Sequence, residues 1–234
     1  DRAMMTMPWE DFITELLVKK YRAVHLVAGH DFRFGYKNQG DPEKLCEKCR
    51  ALGLGCDIIP KVELDGVKGN VRTHETNLGD LITDALVWGA GKNGTKVDAA
   101  VTNGGGIRAT IKKGDITKKD INTVLPFGNT LSIVKVTGAE LLEALEASTY
   151  CTPDSIGGFP QVSGIVYTID GTKTYDAGDV YEGSTYHAPK TIRRVTIQSV
   201  GGKAFNLRTV YTIATNDFLA AGGDTYYAFK TSSV

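Results

Sequence analysis

Residues 101–108 read VTNGGGIR, and their side chains suit recognition of a small polar ligand. An apolar run ends at Asn103, which both donates and accepts hydrogen bonds, and Arg108 brings a planar fork that matches phosphate oxygens. Between them Gly104, Gly105 and Gly106 each lose backbone entropy on folding, about 0.5–1 kcal/mol relative to alanine. In return the triplet offers a main chain without Cβ atoms, which a ligand can approach closely. A tight turn carrying a solvated arginine is the competing reading of these eight residues.

Two other residue sets invite metal chemistry. Cys46, Cys49 and Cys56 form a C-x2-C-x6-C string, with Cys151 far along the chain. The spacing departs from that of paired C-x2-C zinc sites, and His25 and His30 lie on a separate segment. Reduced thiols packed around a helix are therefore expected, and no metal. The four histidines, His25, His30, His74 and His187, stand in no D-x-H or N-H-E context that would hold two metal ions, and His187 reads as a surface or packing residue. The 27 basic residues are balanced by 27 acidic ones. That balance excludes a surface for nucleic acid polymers or a polybasic membrane patch, and it leaves room for a small anion held by one or two arginines. A 41% hydrophobic chain with no apolar run of membrane-span length is expected to be a soluble globular protein. The opening DRAMMTMPWEDF lacks a basic-then-apolar signal pattern, so a targeting peptide is expected to be absent or removed.

These groups need elements to position them. Trp9, Phe12, Ile13, Leu16 and Leu17 recur at helical spacing over 7–21, followed by a buried strand at 23–29, a helix at 42–52 and a strand at 56–64. That order predicts a parallel α/β layer. Beyond 64–70 the pattern changes. A helix is predicted over 75–91, a strand running into the glycine triplet, and a short helix over 116–127 with Thr117 and Asp120 as a capping box. A strand over 129–138, a helix over 139–149 and strands in GIVYTID, IRRVTIQ and LRTVYTIATN follow. This part reads as α+β with a mixed sheet. Glu75, Asn77 and Asp80 are expected to cap and solvate the start of the 75–91 helix.

Four words, VRTHETNLGDLITDAL, TNGGGIR, LPFGNTL and NDFLAAGGDTY, stand in the order and at the spacing of the C-terminal domain of the 5'-nucleotidase family, which residues 64–234 resemble. Residues 1–63, with VAGHDFRFGYKNQGD and GCDIIPKVELDGV, resemble an internal part of the flavin nucleotidyltransferase module of FAD synthetases. That family's phosphate-binding H-x-G-H word and its later Ser-Thr-x-x-Arg element are not in this chain. The expected architecture is thus a 5'-nucleotidase C-terminal-like mixed sheet with helices, preceded by a small partial α/β segment.

The first resemblance implies a nucleoside or nucleotide partner of adenosine or AMP type. Phe127 and Phe218 would close on the two faces of the base, and Asn103 would face it beside Gly105. Arg108 would lie on the ribose or phosphate side, Arg72 would contact phosphate, and Asp224 would accept from ribose hydroxyls. Many relatives carry a second arginine where this chain has His74, which weakens any charge contribution there. The family's hydrolysis uses a divalent metal pair, of Zn, Mn or Mg type, in a metallophosphatase domain, so this chain alone is expected to bind without turning over. The second resemblance implies that Asp31 touches an adenylyl nucleotide, with Phe32 and Phe34 inward around Arg33. An FMN adenylyltransferase fragment, or a fusion without catalysis, is the alternative function. The nucleotidase family points to an extracellular, periplasmic or cell-envelope location, and the FAD synthetases to a cytoplasmic one.

Overall fold

The computed structural model describes residues 6–29, 32–59 and 70–232. The chain divides into two compact units, Asp1–Val62 and Glu63–Val234.

In the first unit, α1 (Trp9–Asp11) runs directly into a π-helical stretch, Phe12–Lys20. The periodicity predicted a helix here, and the finding is a wider coil in which the Tyr21 N–H reaches back to the Leu16 carbonyl. Ile13 and Leu16 remain on its buried side. β1 (His25–Gly29) pairs in parallel with β2 (Gly55–Ile59), and α2 (Pro42–Ala51) lies between them in sequence. Asp41 caps α2 through its Oδ1, 2.9 Å from the Lys44 N–H, and Pro42 occupies the first turn, where its lost donor costs nothing.

Ile13, Phe34, Leu45 and Cys49 form the small core. Of the phenylalanine pair only Phe34 is inside, and Phe32 stacks on it from the rim at 5.3 Å, still 39% exposed. Asp31 and His30 lie outside the described residues. The Cys46 and Cys56 sulfurs approach to 3.1 Å, and burial raises the Cys49 and Cys56 thiols. Among the described residues no group of three His, Cys, Asp or Glu is disposed to hold a metal ion.

The second unit begins, among its described residues, with a 3-10 turn at Asn70–Arg72, followed by α3 (Asn77–Lys92) and β3 (Ala99–Asn103). Next come α4 (Lys118–Val124), with Thr117 and Asp120 forming the expected capping box, then β4 (Leu131–Thr137) and α5 (Gly138–Ser148). β5 (Pro160–Ser163), β6 (Ile165–Ile169), β7 (Asp176–Val180), β8 (His187–Thr191), β9 (Val195–Val200), β10 (Lys203–Ala204) and β11 (Val210–Asn216) complete the strands. Two short helices end it, α6 (Asp217–Ala220) and α7 (Tyr227–Lys230).

The main sheet has the order β4-β11-β3-β5. β11 is parallel to β3 and antiparallel to β4, so the sheet is mixed as the pattern predicted. β3 is buried at every residue, in keeping with its uninterrupted AAVT text. Ala90 of α3 meets Ala100 and Ala214 of the sheet, small side chains that let the helix sit close. A second sheet, β10-β9-β6, and α5 enclose the largest core around Leu141, Leu145, Ile197 and Ile213.

The start of α3 departs from expectation. Thr76 is the cap, its Oγ1 3.1 Å from the Gly79 N–H. Asp80, in the first turn, is half-buried, and its Oδ1 is buried with no hydrogen-bond partner among the described residues. Burial first, then Glu75 and Asp84, push its carboxyl from 3.8 to about 6. A carboxyl that keeps its proton to higher pH when folded favours folding at low pH. That contribution is complete below the unfolded value and is lost as pH rises through about 6. Asp80→Asn is therefore expected to raise the melting temperature at pH 7.5 by about 2–4 °C, roughly 1 kcal/mol after allowing for partial exposure, and to give no gain near pH 3.5. Thermal melts of both proteins across pH check the sign.

Candidate ligand-binding site

β3 and β11 run in parallel, so their carboxyl ends finish at the same edge of the sheet. β3 delivers Asn103 there and β11 delivers Asn216, whose Nδ2 lies 3.2 Å from Asn103 Oδ1 and 3.2 Å from Thr102 Oγ1. Crevices outside the carboxyl ends of strands are the usual ligand positions in open α/β sheets. Here a cavity of about 430 Å³ opens at that edge. Its walls include Arg72, Asn103, Gly105, Arg108, Phe127, Phe218 and Asp224, the seven residues singled out in the sequence of this unit. Gly106, Asn129 and Gly157 complete it and were not foreseen.

The glycine triplet serves chain packing as well as access. A Cβ on Gly104 would stand 1.8 Å from the Val71 carbonyl oxygen and 3.2 Å from the Arg72 nitrogen. Gly104 thus lets the turn carrying Arg72 lie directly against the end of β3. Gly105 donates its N–H to the Gly157 carbonyl at 2.7 Å, and Gly106 borders the cavity. Gly104→Ala is expected to cost about 1–3 kcal/mol by overpacking, read as a lower urea midpoint, with Arg72 displaced.

Gln161 of β5 fixes the same turn. Fully buried, it accepts from the Thr76 N–H at 3.0 Å and donates to the carbonyls of Val71 at 3.1 Å and His74 at 2.8 Å. A Cβ on Gly79 would collide with its Oε1 at 1.9 Å, which accounts for glycine in the first turn of α3. Nothing in the text PQVS announces this role, because it depends on a strand pairing beside β3.

Asp224 stands at φ +52° after Gly222 at +85°, a left-handed turn that directs its carboxylate inward. Asn103 Nδ2 donates to Asp224 Oδ2 at 2.9 Å, so with Asn216 on its oxygen the Asn103 amide is oriented from both ends. Burial raises the Asp224 carboxyl above its ordinary value, opposed by the Asn103 hydrogen bond and the Arg72 charge. Arg72 Nε is buried and has no hydrogen-bond partner among the described residues. Arg108 is held by the Gly105 carbonyl at 3.3 Å and lies 5.7 Å over the Phe127 ring.

The two aromatic rings belong to different loops that are tied together. Asp217 donates its N–H to the Thr130 carbonyl at 3.0 Å, and Thr130 Oγ1 donates to Asp217 Oδ2 at 3.1 Å. Asn216 caps α6 through the Leu219 N–H at 2.9 Å, setting the turn that presents Phe218. Gly223 gives that ring space, since a Cβ there would lie 2.6 Å from it. Phe127 is 60% exposed and Phe218 43%, high values for large apolar side chains. His74 is also exposed, while His187 stands apart, its Nδ1 donating to the Gly178 carbonyl at 2.9 Å.

The mixed sheet with its cavity at the shared strand ends defines an α+β domain. Residues 60–231 match the family model of the 5'-nucleotidase C-terminal domain, and the chain belongs to that family. Residues 1–71 match the model of FAD synthetase. The chain is 42% identical over 174 residues to the trifunctional nucleotide phosphoesterase protein YfkN of Bacillus subtilis, covering 74% of this chain and 11% of that protein. It is 36% identical over 166 residues to the cell wall protein Lmo0130 of Listeria monocytogenes, covering 68% of this chain and 19% of that one. The crystal structure of a 5'-nucleotidase precursor from Thermus thermophilus superposes with a TM-score of 0.61 at 34% identity, over 82% of this chain and 36% of the other. The chain therefore spans about a tenth to a third of the length of these relatives. Among the described residues no helix is long and apolar enough to cross a membrane.

Proposed function

We propose that residues 64–234 form the substrate-recognition domain of a 5'-nucleotidase-type phosphoester hydrolase and bind a nucleoside or nucleotide of adenosine or AMP type. The observation that carries this reading is the meeting of Phe127 and Phe218 in one cavity with Arg72 and Arg108. In this reading the base stacks between the rings, and the ribose hydroxyls donate to Asp224, which Asn103 orients. Arg108 and Arg72 hold the phosphate through their guanidinium groups, both of which line the cavity. Hydrolysis belongs to a metal-bearing domain outside this chain, and the likeness to a cell wall protein favours an extracellular or envelope location. The match of residues 1–71 to FAD synthetase keeps FMN adenylyl transfer as the second reading.

Calorimetric titration with adenosine and AMP tests the first. AMP should bind more tightly, and its advantage should shrink as salt is raised, because the added affinity is charge on charge. Absence of binding by either ligand overturns the reading. Turnover of FMN with ATP would support the second reading, and none is expected. AMP incubated with the chain and Mn2+ is expected to remain intact.

A further inference from the structure

Three tyrosines from separate segments surround a second cavity of about 160 Å³, which Thr225, next to Asp224 of the first, also lines. Tyr150 follows α5, Tyr175 precedes β7, and Tyr186 lies in the connection between β7 and β8. The Tyr150 ring is 5.8 Å from Tyr175 at 56° and 6.3 Å from Tyr186 at 61°. Rings inclined in this way present walls to a common space instead of stacking flat and filling it. Their positions are fixed by the backbone: Tyr175 Oη donates to the His187 carbonyl at 2.7 Å, and the Tyr181 N–H closes the β7–β8 connection on the Tyr186 carbonyl at 2.9 Å.

The charges around this space favour a cation. No lysine or arginine lines the cavity. Arg194 is 3% exposed and committed to the carbonyls of Thr149, Tyr150 and Thr152. Glu146 and Glu143 act on Tyr175, and Asp224 acts on Tyr186, in each case holding the phenol above its ordinary value together with burial, the larger cause. The Glu146 carboxylate is itself engaged by main-chain N–H groups, and His187 also lines the space, its Nδ1 turned to the Gly178 carbonyl. Several aromatic faces with no lysine or arginine among them form the arrangement that attracts quaternary ammonium groups, through the negative ring face.

We propose that Tyr150, Tyr175 and Tyr186 form an aromatic cage for a quaternary methylammonium head group, at a cavity that shares no lining residue with the nucleoside cavity. The head group is either that of a free choline-type molecule or that of a choline-bearing lipid, and the chemistry recognised is the same.

The test uses the full chain. Choline chloride and tetramethylammonium chloride are titrated by NMR, with sodium chloride as the ionic-strength control and 3,3-dimethylbutan-1-ol as the neutral carbon isostere of choline. The two cations should bind, with the isostere at least about tenfold weaker, since it has the same shape without the charge. Tyr150→Leu and Tyr186→Leu should each abolish choline binding, and Tyr150→Phe should retain it, because the ring face and not the hydroxyl is used. Circular dichroism verifies that each variant is folded. Phosphatidylcholine vesicles are the second arm: co-sedimentation with them assigns the lipid source, and binding of free choline alone assigns the small molecule. Equal binding of the neutral isostere, retention of affinity in both leucine variants, or no response to any choline-bearing probe overturns the cage.

Discussion

Phe127→Ala is expected to weaken adenosine binding by about 5- to 140-fold, and Phe218→Ala by a similar factor. Stacking of a base on an aromatic side chain contributes about 1–3 kcal/mol, and each 1.4 kcal/mol is tenfold in affinity. Both rings are more than two-fifths exposed, so truncation removes a ligand surface and little of the core. Melting temperatures should accordingly stay near the parent value, which separates lost contact from lost fold. Phe127→Leu distinguishes stacking from mere apolarity, because leucine keeps the bulk and lacks the ring face; it should recover only a minor part of the loss. AMP should suffer more than adenosine from Phe127→Ala, since the Arg108 guanidinium lies 5.7 Å over that ring and loses its support. The double variant tests coupling. The Thr130–Asp217 hydrogen bonds join the two loops, so the two losses are expected to depart from additivity, as contacting sites do. Unchanged adenosine affinity in both single variants, measured by calorimetry, removes the base clamp from the account.

The residues that gather at the cavity were legible because each sits in a distinctive local text: Asn103 and Arg108 around glycines, Phe127 between Pro126 and Gly128, Asp224 after Gly222 and Gly223. What the text did not disclose is how they are held. Gln161 and the Thr130–Asp217 tie act between segments far apart in sequence, and no local periodicity encodes such partners. The strands that carried alternating apolar residues, β4, β6 and β11, were visible. β7 and β8, reading DAGDV and HAPKT, were not, because neither has an apolar face and each is held by pairing with the other. The cap of α3 was misplaced for a related reason. Glu75, Asn77 and Asp80 are all polar around the helix start, and only the backbone shows that Thr76 has the extended conformation a cap requires. In the first unit, Phe34 and Phe32 have the same local pattern, and the collision of a Gly40 Cβ with the Phe34 ring at 2.6 Å shows which of them the fold was built around.

Glu146→Ala is expected to be the most destabilising single substitution considered, by at least about 3–5 kcal/mol. The side chain is fully buried in α5, yet the run IRRVTIQ gave reason to expect a strand from residue 192 while β9 starts at Val195. The Glu146 carboxylate explains the difference. It accepts the backbone N–H groups of Arg193 at 3.0 Å, Arg194 at 3.1 Å and Val195 at 2.8 Å, taking the donors that an earlier strand start would have used. Next to it Arg194 is buried as well, donating to the carbonyls of Thr149, Tyr150 and Thr152 at the end of α5. The carboxylate is thus satisfied by main-chain donors, whereas the Arg194 Nε is buried without a hydrogen-bond partner among the described residues. Alanine leaves the buried N–H groups of Arg194 and Val195 unpaired, at about 1–3 kcal/mol each, together with the half-buried one of Arg193. Against a typical domain stability of about 5–15 kcal/mol this brings the fold near its limit. Glu146→Gln retains one acceptor oxygen and should lose less. Glu143→Ala, one turn earlier, removes a single hydrogen bond from the Tyr181 hydroxyl at 3.0 Å and should cost only about 0.5–1.5 kcal/mol. Urea unfolding of the three variants orders them, and equal midpoints for Glu146→Ala and Glu143→Ala would show that the buried carboxylate does not join α5 to β9.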